Sequence, residues 1–314
     1  MSARSWQDHS EAYVALRRAL GFTMRPEERI LRGFVAWLDQ HPEPDGLTVR
    51  TTVAWATRTG GAGSQARHLS IARQFLTYVQ AIEPPVAIPG PGLLARVRRS
   101  PPRLVAASEV TALMAAACRL GPRGALRPYT VAACMGLLVS CGLRASEALR
   151  LTVTDVELAA TPPRLTIRHT KFRKSRIVPL HATTAEALRA YAARRCELGY
   201  DDRCDAFFVS ERGTPLNYHV VARTVVALAR ALGLRGPAGE PGLSLHDLRH
   251  SFAVARLAAW ARDGGEVRDR LPALAVYLGH ARPQDTYWYL TAAPDVLAPA
   301  ADRFEAYADA RSAR

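Results

Sequence analysis

Four short stretches of this 314-residue chain carry side chains able to bind an anion, move a proton or attack an electrophile. In "CGLRASEALRL", Arg144 stands just past Gly142, a helix stop, and opens the next segment. An arginine at a helix start opposes the helix dipole unless an anion sits there, so Arg144 reads either as an anion ligand or as an ordinary surface cation. In "HTKFRKSRIVPL", Lys171 and Lys174 are the only lysines among 42 lysines and arginines. Codon bias explains why lysine is rare but not why both lie here. Lysine can release a proton, which arginine effectively never does, so a lysine kept at this place could act as a general acid. It could equally be a solvated side chain at a hairpin tip.

The third stretch, "HDLRHSF", sets His246 and Arg249 three apart on one helix face, where an imidazole and a guanidinium fork can meet one phosphate. His246 with His250, at i and i+4, could also begin a metal site, but neither an acid nor a third histidine follows at ligand spacing, and no metal is expected. The fourth, "YLGHARPQDTYWYL", places His280 after a glycine stop, with Tyr287 and Tyr289 beyond it. These two tyrosines lie roughly 200° apart around a helix and cannot share a role. Aromatic residues near a C-terminal helix are usually packing, a part that Trp288 and Leu290 can fill.

Elements of two kinds must position these residues. From about residue 8 to 82 the apolar spacing is helical, in "SEAYVALRRALGF", "RPEERILRGFVAWLDQ" and "SQARHLSIARQFLTYVQAI", the last opening on Ser64 as its N-cap. "LTVRTTVAWATR" is β-branched enough to suit either helix or strand, and reads best as the third of four helices. Residues 83–105 hold six prolines and an arginine cluster, the composition of a semi-rigid connector. A second domain starts near Ser108, read as the N-cap of "SEVTALMAAACRL", and continues into the buried helix "PYTVAACMGLLVSCGL". Short strands follow at "DVEL", "RLTIRHT" and "SRIVPL", the last two flanking a "KFRK" hairpin tip. Thereafter helices dominate. The predicted fold class is mainly α with a small antiparallel β-sheet.

Composition narrows the function classes. A net charge of +14, spread over both halves, favours a polyanionic partner and folded binding surfaces over a basic tail. No apolar run reaches membrane-span length, and the N-terminus lacks an apolar signal core, so no membrane association and a cytoplasmic location are expected. Five widely spaced cysteines, without a CxxC pair, suggest neither a disulfide framework nor a zinc site.

In their order the four stretches resemble the tyrosine recombinases, or phage integrase family. The family pattern of Arg, Lys, His-x-x-Arg, His and Tyr is matched by Arg144, Lys171, His246 with Arg249, His280 and Tyr289. The phrases "GLRASEAL", "HDLRH" and "LGH" match as well, and "DTYWYLTAAPDVL" is most similar to integrase-like proteins of bacterial mobile elements. The resemblance implies a SAM-like helical core-binding domain at residues 1–98, a linker at 99–107 and an α+β catalytic domain at 108–314. It also implies cleavage and rejoining of double-stranded DNA through a 3′-phosphotyrosine on Tyr289, with Arg144 and Arg249 clamping the phosphate. His246 and His280 would add hydrogen bonds, and Lys171 would protonate the departing 5′-oxygen.

No metal or other cofactor is implied. The expected partners are DNA and three further copies of the chain, a homo-tetramer on two sites. A non-cutting DNA binder of the same fold and a type IB topoisomerase are the alternatives. Two departures stand out. Arg173 occupies a hairpin position where many relatives have glycine, which leaves Lys174 as the second choice for the leaving-group lysine. The stretch "ARDGGEVRDRLPA" is longer than the usual connector. Without a separate arm-binding domain at the start, simple DNA sites are expected. The last segment, "APDVLAPAADRFEAYADARSAR", is read as a helix that docks on a neighbouring protomer, a helix packed on its own domain, or a frayed tail.

Overall fold

The computed structural model describes residues 5–42, 46–58, 60–95, 103–168, 175–201, 203–237, 240, 242–263, 267–280 and 282–291. The chain divides into two compact units, residues 1–100 and 101–314.

The first unit is helical: α1 (Trp6–Ala19), α2 (Arg25–Gln40), α3 (Val49–Thr57) and α4 (Ala62–Gln80). Its core joins Tyr13, Leu31, Phe34, Trp55, Phe75 and Leu76. Burying an apolar side chain of this size contributes about 1.5–3 kcal/mol. The β-branched segment is a helix because Thr48 caps it, accepting from the Thr51 N–H at 3.2 Å, while Thr52 and Trp55 turn inward. Ser64 is not an N-cap. The helix starts two residues earlier, at Ala62, where the Gly61 carbonyl accepts from the Ser64 and Gln65 N–H groups and the Gln65 amide ties back to the Thr57 and Gly60 carbonyls.

The second unit begins its core at Val105, whose N–H donates to Ser251 Oγ at 2.7 Å. α5 (Ala107–Cys118) is capped two residues before Ser108: the Ala106 N–H donates to Glu109, whose carboxylate also holds Arg103. The central helix α6 (Arg127–Cys141) ends on Gly142 at φ +59°, and the short α7 (Ala145–Ala148) follows. A Cβ at Gly142 would lie 2.2 Å from the Phe252 ring, so glycine serves both the left-handed turn and the close packing.

Strands β1 (Val156–Glu157), β2 (Arg164–Ile167) and β3 (Arg176–Pro179) form an antiparallel sheet in that order, with Leu165 opposite Val178 and Ile167 opposite Arg176. β1 is shorter than "DVEL" because Asp155 closes a helical turn, accepting from the Thr152 N–H and hydroxyl. The "KFRK" tip, with Lys171 and Lys174, lies outside the described residues.

Helices α8 (Ala182–Glu197), α9 (Tyr218–Ala231), α10 (Leu245–Arg262), α11 (Val267–Leu278) and α12 (Gln284–Thr291) complete the unit. Most of "ARDGGEVRDRLPA" belongs to the end of α10 and the start of α11. A small core of Ala253, Val254, Leu257, Leu271, Leu274 and Leu278 binds α10 to α11 and receives Tyr289 from α12. The final segment lies outside the described residues.

Candidate active site

The last turn of α11 gathers three arginines. A helix C-terminus leaves carbonyls without intrahelical donors and carries partial negative charge. Here Arg176 Nε donates to the Tyr277 carbonyl at 2.7 Å, Arg249 to the Leu278 carbonyl at 2.8 Å and Arg144 to the Gly279 carbonyl at 2.9 Å. Three consecutive carbonyls thus hold guanidiniums from β3, α10 and the start of α7. Arg249 also donates to the Gly142 carbonyl at 2.7 Å, so it bridges the C-terminal ends of α6 and α11. Gly279 lies at φ +67°, and a Cβ there would stand 2.6 Å from an Arg176 guanidinium nitrogen and 3.5 Å from one of Arg144.

Glu147 sits beneath two of these cations. Its side chain is 2% exposed and accepts from Arg144 at 2.8 Å and from Arg176 at 2.8 and 3.3 Å. It also takes the Arg144 N–H at 3.1 Å, which caps α7. Burial alone would push its carboxyl up, but the hydrogen bonds from Arg176 and Arg144 prevail and hold it below the usual range, so it is an anion. Arg249 is 2% exposed. Burial, and then repulsion from Arg144, bring it down to about 10, which still leaves it charged at neutral pH. Arg144, by contrast, keeps 30% of its side chain open to an anion.

His280 lies between Arg249, 2.9 Å from its Nε2, and Thr286 Oγ1, 2.7 Å from its Nδ1. Guanidinium nitrogens only donate, so Nε2 accepts and Nδ1 carries the proton. Burial and then the Arg249 and Arg144 charges lower His280 to about 4, and it is neutral. The Tyr289 ring stacks along the His280 ring with centroids 6.0 Å apart. Tyr289 is 2% exposed, and its hydroxyl lies 3.1 Å from Nδ1 of His250. Tyr287, on the other side of α12, is 46% exposed.

Of the six residues singled out in the sequence, the structure joins Arg144, Arg249, His280 and Tyr289 within one cluster. His246 is exposed and meets it through the His250 ring, 4.1 Å centroid to centroid. Lys171 lies outside the described residues. Glu147, Arg176 and Thr286 were given no role from the sequence, and His250 only that of a candidate metal ligand beside His246. Glu147 had a visible signal, an acid three residues after a helix start. Arg176 and His250 stand in "HTKFRKSRIVPL" and "HDLRHSF", but their partners Tyr277 and Tyr289 lie far along the chain, and Thr286 is placed by His280 six residues before it. Among the described residues, no group of three or more His, Cys, Asp or Glu side chains gathers as metal ligands would. As it stands, the arrangement can clamp an anion with two guanidiniums beside a phenol whose hydroxyl meets an imidazole.

Residues 103–295 match the phage integrase family. The protein y4rB of Sinorhizobium fredii, named as an integrase/recombinase, is 39% identical over 303 residues, covering 94% of this chain and 95% of its own. Tyrosine recombinase XerC of Rhizobium meliloti is 33% identical over 239 residues, covering 74% and 68%. Among solved structures, XerH recombinase bound to palindromic difH in a post-cleavage complex aligns with a TM-score of 0.67 at 19% identity, covering 88% of this chain and 78% of that one. A lambda integrase tetramer on a Holliday junction aligns at 0.64 and 20% identity, covering 89% and 77%. At these identities the two structures speak to the fold.

Proposed function

The chain belongs to the phage integrase family and is an enzyme that breaks and rejoins DNA, and from that premise we propose a site-specific recombinase working through a 3′-phosphotyrosine on Tyr289. The observation that carries this reading is the cluster on the last turn of α11, where Arg144, Arg249 and His280 stand beside Tyr289. A phosphodiester is an anion, and its pentavalent transition state concentrates charge on the non-bridging oxygens. Two guanidiniums held in advance by backbone carbonyls meet that charge with little reorganisation. The half-open Arg144 receives the phosphate and the buried Arg249 closes on it.

A phenol with a pKa near 10 is a moderate nucleophile and a moderate leaving group. The incoming 5′-hydroxyl can therefore reverse the linkage without an external energy source. Lys171 supplies the proton to the departing 5′-oxygen, and the exposed His246 adds a hydrogen bond to the phosphate. Residues 1–98 form the core-binding domain, 99–107 the linker and 108–314 the catalytic domain. The working assembly is a homo-tetramer on two DNA sites, acting in the cytoplasm in the integration or transposition of a mobile element. Among the described residues no helix is long and apolar enough to cross a membrane.

Covalent capture tests this reading. The protein is mixed with nicked duplexes tiled across the ends of its native element, and SDS-resistant adducts are scored for the wild type, Tyr289→Phe and Tyr287→Phe. An adduct lost only in Tyr289→Phe is the expected result. Loss only in Tyr287→Phe would move the nucleophile to the exposed tyrosine. Tight binding without any adduct would point to a non-cutting DNA binder.

A further inference from the structure

An attacking phenol must give up its proton, and a side chain that takes it has to lie within about 2.6–3.2 Å of the hydroxyl. Two imidazoles lie against the Tyr289 ring, those of His250 and His280. His280 spends both ring nitrogens elsewhere, Nε2 on Arg249 and Nδ1 on Thr286. His246 is exposed and touches the ring of His250. His250 meets the distance: its Nδ1 lies 3.1 Å from the Tyr289 hydroxyl oxygen, with both residues buried. It follows Arg249 directly on α10, so the helix that supplies the buried guanidinium also supplies this contact. Packing fixes the ring on three sides, against His246 at 4.1 Å, Trp288 at 5.2 Å and Tyr289 at 5.4 Å between centroids.

We propose that His250 is the general base for Tyr289, a residue outside the six-position family pattern; the proposal rests on the recombinase reading above. In the reacting state His250 is neutral, with its proton on Nε2 and its Nδ1 lone pair turned to the phenol. As the bond from the Tyr289 oxygen to phosphorus forms, the phenol proton passes to Nδ1 and leaves an imidazolium. The bond from phosphorus to the 5′-oxygen breaks, and that oxygen takes its proton from Lys171. Rejoining runs the transfers backwards: the imidazolium returns its proton to the departing phenolate while Lys171 recovers one from the incoming 5′-hydroxyl. His280 keeps a separate task, orienting Arg249.

The test measures the single-turnover rate of adduct formation on the nicked duplex that captures the wild type, for His250→Ala and His250→Asn. Asparagine sets an oxygen acceptor where Nδ1 stands but does not take up a proton at neutral pH. Both variants are expected to lose about 100-fold or more in rate, within the span of general-base contributions. Their affinity for the intact duplex should stay within about threefold of wild type, which also reports folding. A second measurement does not depend on either variant folding: replacing Tyr289 by 3-fluorotyrosine in the otherwise unchanged chain makes the phenol more acidic. With His250 as base, this should flatten the pH dependence of the cleavage rate.

Full activity in His250→Asn would reduce His250 to an orienting residue and overturn the proposal. Cleavage as fast as wild type, or faster, in His250→Ala would make the contact a resting-state latch and overturn it as well. An unchanged pH profile with 3-fluorotyrosine also counts against it. A wild type that forms no adduct overturns the recombinase reading and this inference together, whereas a normal Tyr289-dependent adduct that is indifferent to His250 overturns this inference alone.

Discussion

The helical first unit and the turn around Gly279 in the second are built on opposite terms. In α1 to α4 shape does the work. Phe34 meets Trp55 at 4.6 Å and Phe75 edge-on at 6.4 Å, and Tyr13 lies 5.8 Å from Phe75. The ion pairs there, Arg18 with Glu28 and Arg67 with Glu27, lie at the surface with the arginines about half exposed, where such pairs are worth at most about 1 kcal/mol. Around Gly279 the same residue types are sunk into the protein. Glu147 and Arg249 are nearly inaccessible, and each hydrogen bond decides where a guanidinium points. Apolar packing tolerates substitution as long as volume and pattern survive. A buried charge tolerates almost nothing, because losing one partner strands the other. The helical first unit uses the forgiving construction, and the arginine cluster around Gly279 uses the strict one.

Removing the central carboxylate should break this contrast most visibly. Glu147→Ala leaves Arg144 and Arg176 facing each other without an anion, and a broken buried pair costs about 3–5 kcal/mol. Hydrogen exchange read peptide by peptide should show α6 and α11 opening more easily, with α2 and α4 unchanged. A cost below about 1 kcal/mol would mean that the network is as solvated as the surface pairs of the first unit.

The next largest effect compares one substitution in two places. Gly279→Ala forces alanine to φ +67° and pushes its Cβ onto the Arg176 guanidinium, so it should cost about 1–3 kcal/mol and lower the rate of adduct formation as Arg144 and Arg176 shift. Gly33, within α2, has open space where a Cβ would go. Gly33→Ala should therefore stabilise the first unit by about 0.5–1 kcal/mol, since glycine is the poorer helix former. Urea unfolding followed by tryptophan fluorescence can register both changes, because Trp6, Trp37 and Trp55 report on the first unit and Trp260 and Trp288 on the second. Equal signs would remove the distinction between the two constructions.

The sequence carried its local information well and its long-range information poorly. Helical spacing marked the segments that became α1, α2 and α4, and the arginine, histidine and tyrosine boxes could be picked out because each is a short phrase. The caps at Ser64 and Ser108 were misplaced because both helices begin earlier, where backbone groups are satisfied by Gly61 and by Glu109 rather than by a serine hydroxyl. The supporting contacts were out of reach for another reason. Arg176 meets a carbonyl 101 residues away, Arg144 one 135 away, and His250 a hydroxyl 39 away. No periodicity encodes such pairings. The His246 and His250 spacing that suggested a metal pair belongs instead to a helix face that turns His250 toward Tyr289.

The gentlest test uses pH. His280 is lowered from 6.5 to about 4 in the folded chain by burial and by Arg249, so between those values the unfolded chain binds a proton that the folded chain refuses. Stability must then fall as pH drops from 6.5 toward 4, by about 1 kcal/mol once partial exposure is allowed for. Glu147 acts in a lower window. Its lowered carboxyl stabilises the fold above its ordinary value of 4.5, and that contribution is lost as pH falls through the folded-state value. His280→Gln keeps a polar side chain beside Arg249 and Thr286 but does not titrate. In α11 and α12 it should abolish the loss between pH 6.5 and about 4.5 and leave the steeper acid limb intact, while His68, lowered by burial in the first unit, keeps its own contribution there. Exchange rates in α11 and α12, measured at several pH values, would separate the two windows. A limb between 6.5 and 4.5 that survives in His280→Gln would assign the proton to another histidine and detach His280 from the arginine cluster.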